Sequence, residues 1–358
     1  MATMGDGAGV MARGGFYNAH SQPQHSAAEF GLALFEQAAA SVPLPAAGEP
    51  LVIADYGAAQ GRNSLGPMRA AIAAIRARAG GTLPISVVHT DIPGNDFSAL
   101  FTLLATSPQS YLAGAPDVCA YAAGRSFYQR LFAPAQVGLG WSAIAVHWLS
   151  AAPAKVPGHI WAPRGNPEVQ AAFARQSAED WAAFLGHRAA ELCPGGRLVV
   201  IGGAADEHGQ SGADGLMDMA NAALASLVEH GLLRADERAR MVVPTWNRRP
   251  VDFLAPFGTP QAAGLALGAR GLHVLPDQFW AAYQANGDLA QYARSYAEFF
   301  DAAFAPSLLS ALDPDRTAPD RTAIAAGLDE ALRKLIEASP QQASCQWHVM
   351  VLEMTKPG

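Results

Sequence analysis

The run Asp55-Tyr56-Gly57-Ala58-Ala59-Gln60-Gly61 has the composition of a ligand-binding turn. Glycines between a strand and a helix let the backbone approach a ligand and bring helix N-terminal amides towards it. The spacing is not Gly-x-Gly-x-x-Gly, and an acid precedes the first glycine. A carboxylate there repels a pyrophosphate but suits an ammonium, such as that of a methionine moiety. A second acid, Asp91, closes the next apolar run. It is placed to bind a ribose diol, as strand-end acids do in dinucleotide folds. Two other readings of the cluster stay open: a glycine turn with no ligand, and a nicotinamide-dinucleotide site. The missing fingerprint disfavours the second.

Strands must place these acids. Residues 51–55 are a short apolar run, the mark of a buried parallel strand, and residues 63–79 predict a helix ending at Gly80-Gly81. The cycle repeats with a strand at 85–89, a helix at 95–104, and further strands at 118–121 and 143–149. A long helix over 167–192 carries Phe173, Trp181, Phe184, Leu185 and Leu192 on one side, as core, and a fifth strand covers 197–201. Ahead of them, 27–40 reads as a helix with Phe30, Leu34 and Phe35 on one face, stopped by Pro43 and Pro45.

This alternation predicts an α/β fold, a mostly parallel Rossmann-like sheet with helices on both faces. Ligands in such sheets sit beyond the carboxyl ends of the strands, which brings Asp55, Asp91 and the Trp148 neighbourhood to one edge. From about residue 206 to 315 the pattern turns mostly helical, with helices at 216–230, 251–257 and 278–304. A helix at 322–338 and a last strand at 345–355 return to the sheet. The expected division is a lid segment at 1–25, a core at 26–205 and 320–358, and a mainly helical cap at 206–319. Residues 1–25 are small and polar and have no evident order of their own.

Half of the 358 residues are apolar and 15% are charged, ample for a large core. The formal net charge of −7 and the absence of basic runs argue against a nucleic-acid partner. Cys119, Cys193 and Cys345 are far apart and read as buried thiols in a reducing compartment. No signal-peptide core and no membrane-length apolar run is visible, so the expected location is cytoplasmic. His20 and His25 have no third ligand at metal spacing, so no metal site is expected.

Several motifs then line up with one family. Phe16-Tyr17-Asn18-Ala19-His20-Ser21-Gln22-Pro23-Gln24 resembles an opening Ser-Tyr-x-x-Asn-Ser-x-x-Gln. Asp55, Gly57, Gly61 and Asn63 match Asp-x-Gly-x-x-x-Gly-x-Asn, and Asp91-Ile92-Pro93-Gly94-Asn95-Asp96-Phe97 nearly matches Asp-Leu-Pro-x-Asn-Asp-Phe. Ser126 to Phe132 keeps Ser-Phe-Tyr-x-Arg-Leu-Phe, and His147-Trp148-Leu149-Ser150 keeps His-Trp-Leu-Ser. The chain resembles the SABATH methyltransferases over about residues 15–200. That family makes methyl esters of salicylate, benzoate, jasmonate and related acids.

The resemblance implies S-adenosylmethionine as cofactor in a class I methyltransferase core. It places Tyr17, Ser21, Asp55, Gly57, Asn63, Asp91, Ile92, Ser126, Phe127 and Ser142 around it. It gives Gln24 and Trp148 the substrate carboxylate, with Ile144, His147 and Trp246 at the substrate wall. Family members are often dimers, so a homodimer is the implied assembly. Mg²⁺ accompanies some members, but no feature of this sequence indicates it. Ile144 stands where the family commonly has Tyr, and His20 where it has Asn, which leaves the identity of the acid open.

The chemistry agrees with that assignment. A carboxylate is ionised at neutral pH and is itself the nucleophile, so no general base is needed. Aligning oxygen, methyl carbon and sulfur in a dry pocket is then the main task. A Gln amide and a Trp indole N–H are neutral donors that orient an oxygen without protonating it. Gln24, in the opening segment, suggests a lid that cofactor binding orders. The expected activity is methyl-ester formation on a small apolar acid. The alternatives are N-methylation of a small heterocycle and a non-catalytic S-adenosylmethionine-binding relative. His147 also reads as a core histidine, Trp246, Phe279 and Trp280 as plain packing, and Glu179-Asp180 as a solvated helix face.

Overall fold

The computed structural model describes residues 9–80, 83–259 and 264–358. Gly81 of the expected helix end and residues 1–8 of the expected lid lie outside these. Two helices, α1 (Phe16–His20) and α2 (Gln22–Ser41), precede the first strand. β1 (Leu51–Tyr56) is buried at every position, as a strand with neighbours on both sides and helices on both faces must be. After α3 (Arg62–Ala79), β2 (Ile85–Asp91), α4 (Phe97–Thr106) and β3 (Val118–Gly124) extend the sheet on one side. β4 (Val137–Ala143), α5 (Pro167–Glu191) and β5 (Leu192–Ala204) extend it on the other, and all five strands are parallel.

Then follow α6 (Asp214–Glu229), α7 (Ala235–Arg238), α8 (Pro250–Leu254), β6 (Ala266–Val274), α9 (Gln278–Asn286), α10 (Leu289–Ala303) and α11 (Ala305–Leu309). The chain closes with α12 (Ala318–Ala338), α13 (Pro340–Ala343) and β7 (His348–Thr355). The seven strands lie in the order β3-β2-β1-β4-β5-β7-β6, with β7 antiparallel to β5 and β6. The expected mostly parallel α/β sheet is present. On one face, Phe35 of α2 and Met68 and Ile72 of α3 pack against Ile53, Leu139 and Val199. On the other, Trp181, Phe184 and Leu185 of α5 pack against Ala54, Leu198 and Val200. Phe173 is buried nearer the start of α5 against Leu149 and Val156, so these aromatic residues are helix core as expected. α6, α10 and α12 form a separate apolar core around Leu224, Phe300 and Leu328, which caps the carboxyl end of the sheet.

Some expectations need correction. The fourth strand is Val137–Ala143, not 143–149. Gly138, Gly140 and Ser142 dilute its apolar pattern, while Val146 and Leu149 are buried in the loop that follows. Residues 16–20 and 22–25 are helical rather than without order of their own, and α2 begins five residues ahead of Ala27, at Gln22. β6 lies within the stretch read as helical; Gly268, Arg270 and Gly271 and its half-exposed face hide the strand period. The helix read over 278–304 ends first at Gly287, in the left-handed region at φ 70°, and α10 and α11 follow. Asp180 is buried, not solvated: its carboxylate accepts from the Ser150 N–H at 2.8 Å and the Ser150 hydroxyl at 2.6 Å. Only Cys345 of the cysteines is buried; Cys119, on the edge strand β3, is exposed and Cys193 is half-buried. Among the described residues no helix is long and apolar enough to cross a membrane.

Candidate functional site

The sheet order reverses at β1, which has β2 on one side and β4 on the other. The crevice beyond such a switch point is where ligands enter open α/β sheets. β1 passes into the turn at Gly57, whose φ is 84°. A Cβ there would lie 2.4 Å from the Ala145 Cβ, so only glycine lets the turn pass the loop after β4. The turn is tied to the end of β2. The N–H groups of Gly57 and Ala58 donate to the Thr90 carbonyl at 2.9 and 3.1 Å. The Asn95 amide donates to the Ala59 carbonyl at 2.7 Å.

A small pocket sits on this turn, lined by Asp55, Gly57, Ala58, Asn63 and Trp141. A second, larger cavity is lined by Met11, Ile144, His147, Trp148, Phe299 and Phe304. Tyr17 and Gln24 line both. The two cavities therefore meet at side chains of the N-terminal helices.

Polar contacts hold that segment down. Asn18 donates to the Gln60 carbonyl at 3.0 Å and accepts from the Arg62 N–H at 3.2 Å. Asn63 donates to the Ser21 hydroxyl at 3.2 Å. Upstream, the Ala12 N–H donates to the Ala302 carbonyl of α10 at 3.0 Å, so the segment bridges cap and core. Tyr17 is buried, and burial together with the Asp91 charge holds its phenol protonated, above the usual range.

Asp55 is buried and its Oδ2 lies 2.7 Å from His89 Nδ1. His89 Nε2 lies 2.7 Å from the Tyr111 hydroxyl. Burial and the Asp55 charge push the Tyr111 phenol up, so it stays protonated and can donate to His89. This row fixes Asp55 from within the sheet. Sequence reading missed His89 and Tyr111; the available signal was a histidine inside an apolar strand. Asp91 accepts from the N–H groups of Ala59 and Ile92, each at 2.8 Å. Burial, with Asp55 adding to it, pushes the Asp91 carboxyl up to about 6 against the pull of these N–H groups.

Phe127 is buried, with its ring 3.4 Å from where a Gly57 Cβ would stand. Ser126 is half-exposed and accepts from the Tyr128 N–H at 3.3 Å. Beneath this run, Arg188 donates to the Phe127 carbonyl at 2.6 Å. Glu191 accepts from the Leu131 N–H, also at 2.6 Å. Ser142 is turned away from the smaller cavity: its hydroxyl donates to the Tyr56 carbonyl at 2.9 Å, while its neighbours Trp141 and Ala143 line that cavity.

The loop after β4 carries the rest. Ile144 has φ 50°, a conformation costing a β-branched residue about 1–3 kcal/mol, so the surrounding packing must impose it. The Tyr128 hydroxyl lies 2.9 and 2.7 Å from the carbonyls of Val146 and Trp148. Buried Arg248 donates to the Val146 carbonyl at 2.6 Å. The Trp148 ring stacks on Phe304 at 5.8 Å between centroids. Trp246 does not reach this cavity: it lines a separate polar groove with Arg164, His208 and Gln210, and tilts against Phe173. Its backbone N–H, instead, supports the loop by donating to the His147 carbonyl at 2.9 Å. Phe279 and Trp280 pack against Tyr296 and Tyr292 in the cap. Met11, on the wall of the larger cavity, was also missed, because the glycine-rich segment around it has no period to read. His20 faces Glu298 at 3.6 Å and His25 faces Glu29 at 3.9 Å.

Residues 2–254 match the family model described as SAM dependent carboxyl methyltransferase. The chain belongs to the S-adenosylmethionine-dependent carboxyl methyltransferase family. It is 28% identical over 295 residues to gibberellic acid methyltransferase 2 of Arabidopsis thaliana, with 74% of each chain covered. It is 32% identical over 253 residues to a probable 7-methylxanthine methyltransferase 3 of Theobroma cacao, covering 63% of this chain and 67% of that one. The solved structure of a loganic acid methyltransferase with SAH shares the fold, with a TM-score of 0.77 at 19% identity, covering 97% and 99% of the two chains. The resemblance to SABATH methyltransferases stands, and with it S-adenosylmethionine as the methyl donor of the family. The smaller cavity has the Asp55 carboxylate in its lining, a charge of the sign that suits a cationic donor.

Proposed function

We propose that this carboxyl methyltransferase esterifies a small, largely apolar acid held in the larger cavity. Gln24 and Trp148 orient its carboxylate, Asp55, Asn63 and Tyr17 hold the donor in the smaller one, and Asp91, bonded to the Ala59 N–H at the rim of that cavity, takes the donor's ribose. The observation that carries the reading is the meeting of the two cavities at Gln24, whose side-chain oxygen is buried with no partner. That oxygen is an acceptor and is held by nothing, so the amide is free to turn its Nε2–H donors, the atoms a carboxylate needs, towards the junction.

When bound, S-adenosylmethionine supplies an electrophilic methyl group on a sulfonium and keeps the broken S–C electron pair as a neutral thioether. The new O–C bond uses a carboxylate lone pair, and no proton moves. Gln24 and Trp148 therefore need only orient an oxygen, and Phe299, Phe304 and Met11 keep water out. An N–H acceptor, as the xanthine relative's name suggests, would also have to lose a proton. His147 is a poor base for that step, because burial and then the Arg248 charge push it down to about 3. A cytoplasmic location and a homodimer belong to the same reading, resting on composition and on the family resemblance.

Two experiments test it. Methyl transfer from labelled donor to a panel of aromatic, terpenoid and fatty acids, alongside matched heterocycles, should give methyl esters. Transfer only to ring nitrogens would overturn the carboxylate reading. The second concerns Asp91 as the ribose acceptor. A diol donates to a carboxylate, so binding favours the ionised acid. Donor affinity should then hold above the Asp91 value of about 6 and weaken below it. The limiting slope is about tenfold per pH unit. Calorimetry between pH 5 and 8 should show this decline in the wild type. Asp91→Asn should bind more weakly at pH 8 with a flatter profile; an unchanged profile would remove Asp91 from the site.

A further inference from the structure

The larger cavity is apolar over most of its wall, with Leu275, Phe299, Phe304, Trp347 and Val349 among its lining. Two imidazoles interrupt it, beside the polar ends of Tyr17, Gln24 and Asn247. His147 is only 8% exposed, yet its Nδ1 has no hydrogen-bond partner. His348, half-buried, lines the same cavity and its Nδ1 is also without one. The His147 ring is held in place. It lies against Gly203, where a Cβ would come within 2.9 Å of Nδ1, and it tilts beside Trp148 at 6.0 Å. Its backbone carbonyl accepts from the Trp246 N–H at 2.9 Å, so the loop cannot easily swing the nitrogen out to water.

We propose that the acid this enzyme methylates carries a second hydrogen-bonding group, a hydroxyl or carbonyl oxygen apart from its carboxylate, which pairs with Nδ1 of His147 and lies within the same cavity as His348. The inference rests on the carboxylate-acceptor reading above and narrows it from apolar acids to oxygenated ones. A plain hydrocarbon acid would leave the His147 nitrogen facing hydrocarbon, and buried polar groups in native sites are rarely left so. The imidazole is neutral, since burial and Arg248 keep it from protonating. Its Nδ1 is then a donor in one tautomer and an acceptor in the other, and a hydroxyl, being both, can pair with it in either state, whereas no cation is offered to the carboxylate. Selectivity follows from this pairing. A site built around a substrate oxygen rejects the analogue lacking it far more strongly than an apolar wall rejects an added oxygen.

The test uses pairs of acids that differ by one hydroxyl on the same carbon skeleton, with kcat/KM measured from labelled methyl donor on the full chain. For at least one pair, the wild type should prefer the hydroxylated member by about 100-fold or more. His147→Phe should collapse that preference, and His147→Asn, which keeps an amide near the Nδ1 position, should restore part of it. Donor affinity, measured by calorimetry, should not move in either variant. Equal turnover within every pair by the wild type overturns the proposal. So does a loss in His147→Phe that is the same for both members. Bound donor with no ester from any acid would instead overturn the carboxylate reading, and this proposal with it.

Discussion

Glu191→Ala is expected to lower the free energy of unfolding by about 3–5 kcal/mol, the largest stability effect of any single change considered for this chain. Arg188 and Glu191 are both fully buried and pair at 2.8 Å within the last turn of α5. The guanidinium also donates to the carbonyls of Phe127 at 2.6 Å and Gln129 at 3.1 Å, and sits 4.5 Å above the Tyr56 ring. Glu191 accepts from the N–H groups of Leu131 at 2.6 Å and Phe132 at 3.2 Å. Removing the carboxylate leaves a buried cation without its counter-charge and two backbone donors without acceptors. Each is costly in a dry interior. Because this pair braces the whole Ser126–Phe132 run against α5, weaker donor binding should accompany the lost stability. Denaturant melts of the wild type, Glu191→Ala and the double variant Arg188→Met/Glu191→Leu would check this. The double variant should recover the part of the loss owed to the unpaired charge, but not the part owed to the Leu131 and Phe132 N–H groups, which stay without acceptors. A single variant as stable as the wild type would show that the ion pair braces nothing.

The ion pair also explains how far the sequence could be read. Arg188 and Glu191 look like ordinary helix charges three apart, and nothing local marks them as buried. Asp180 is the same case, read as solvated until the loop after β4 closes on it. Buried charge depends on partners distant in sequence, whereas buried apolar strands announce themselves locally. Hence residues 51–55, 85–89 and 197–201 were legible as strands. Val137–Ala143, with its glycines and serine, was displaced, and Ala266–Val274 was missed at the sheet edge. In the site, Asp55 and Gly57 were legible from the strand-to-helix turn and Asn63 through the family motif, and the three line the smaller cavity together. Ser142 and Trp246 depended on which face a strand and a loop would turn. A register cannot be read from residue types alone, and both side chains point away from the cavities.

Gln24→Met and Trp148→Phe should each lower kcat/KM for the acid by about 100-fold while the donor binds with unchanged affinity. The magnitude follows from what the two side chains do in the proposed reaction. An acceptor oxygen misaligned by about 1 Å loses on the order of 10²-fold in rate when alignment is most of the catalysis. Both substitutions are chosen to keep volume. Methionine fills the junction of the two cavities without an amide, and phenylalanine can keep the stacking on Phe304 while removing only the indole N–H. Stability should therefore change little, which separates orientation from packing. If the two donors grip the same carboxylate, the double variant should fall less than the product of the single losses, because one loosened oxygen already frees the other. A rise in KM with kcat untouched would assign them to uniform binding, equal in the ground and transition states. Full turnover by Gln24→Met would detach the N-terminal helices from the chemistry and leave Trp148 to orient the acid by itself.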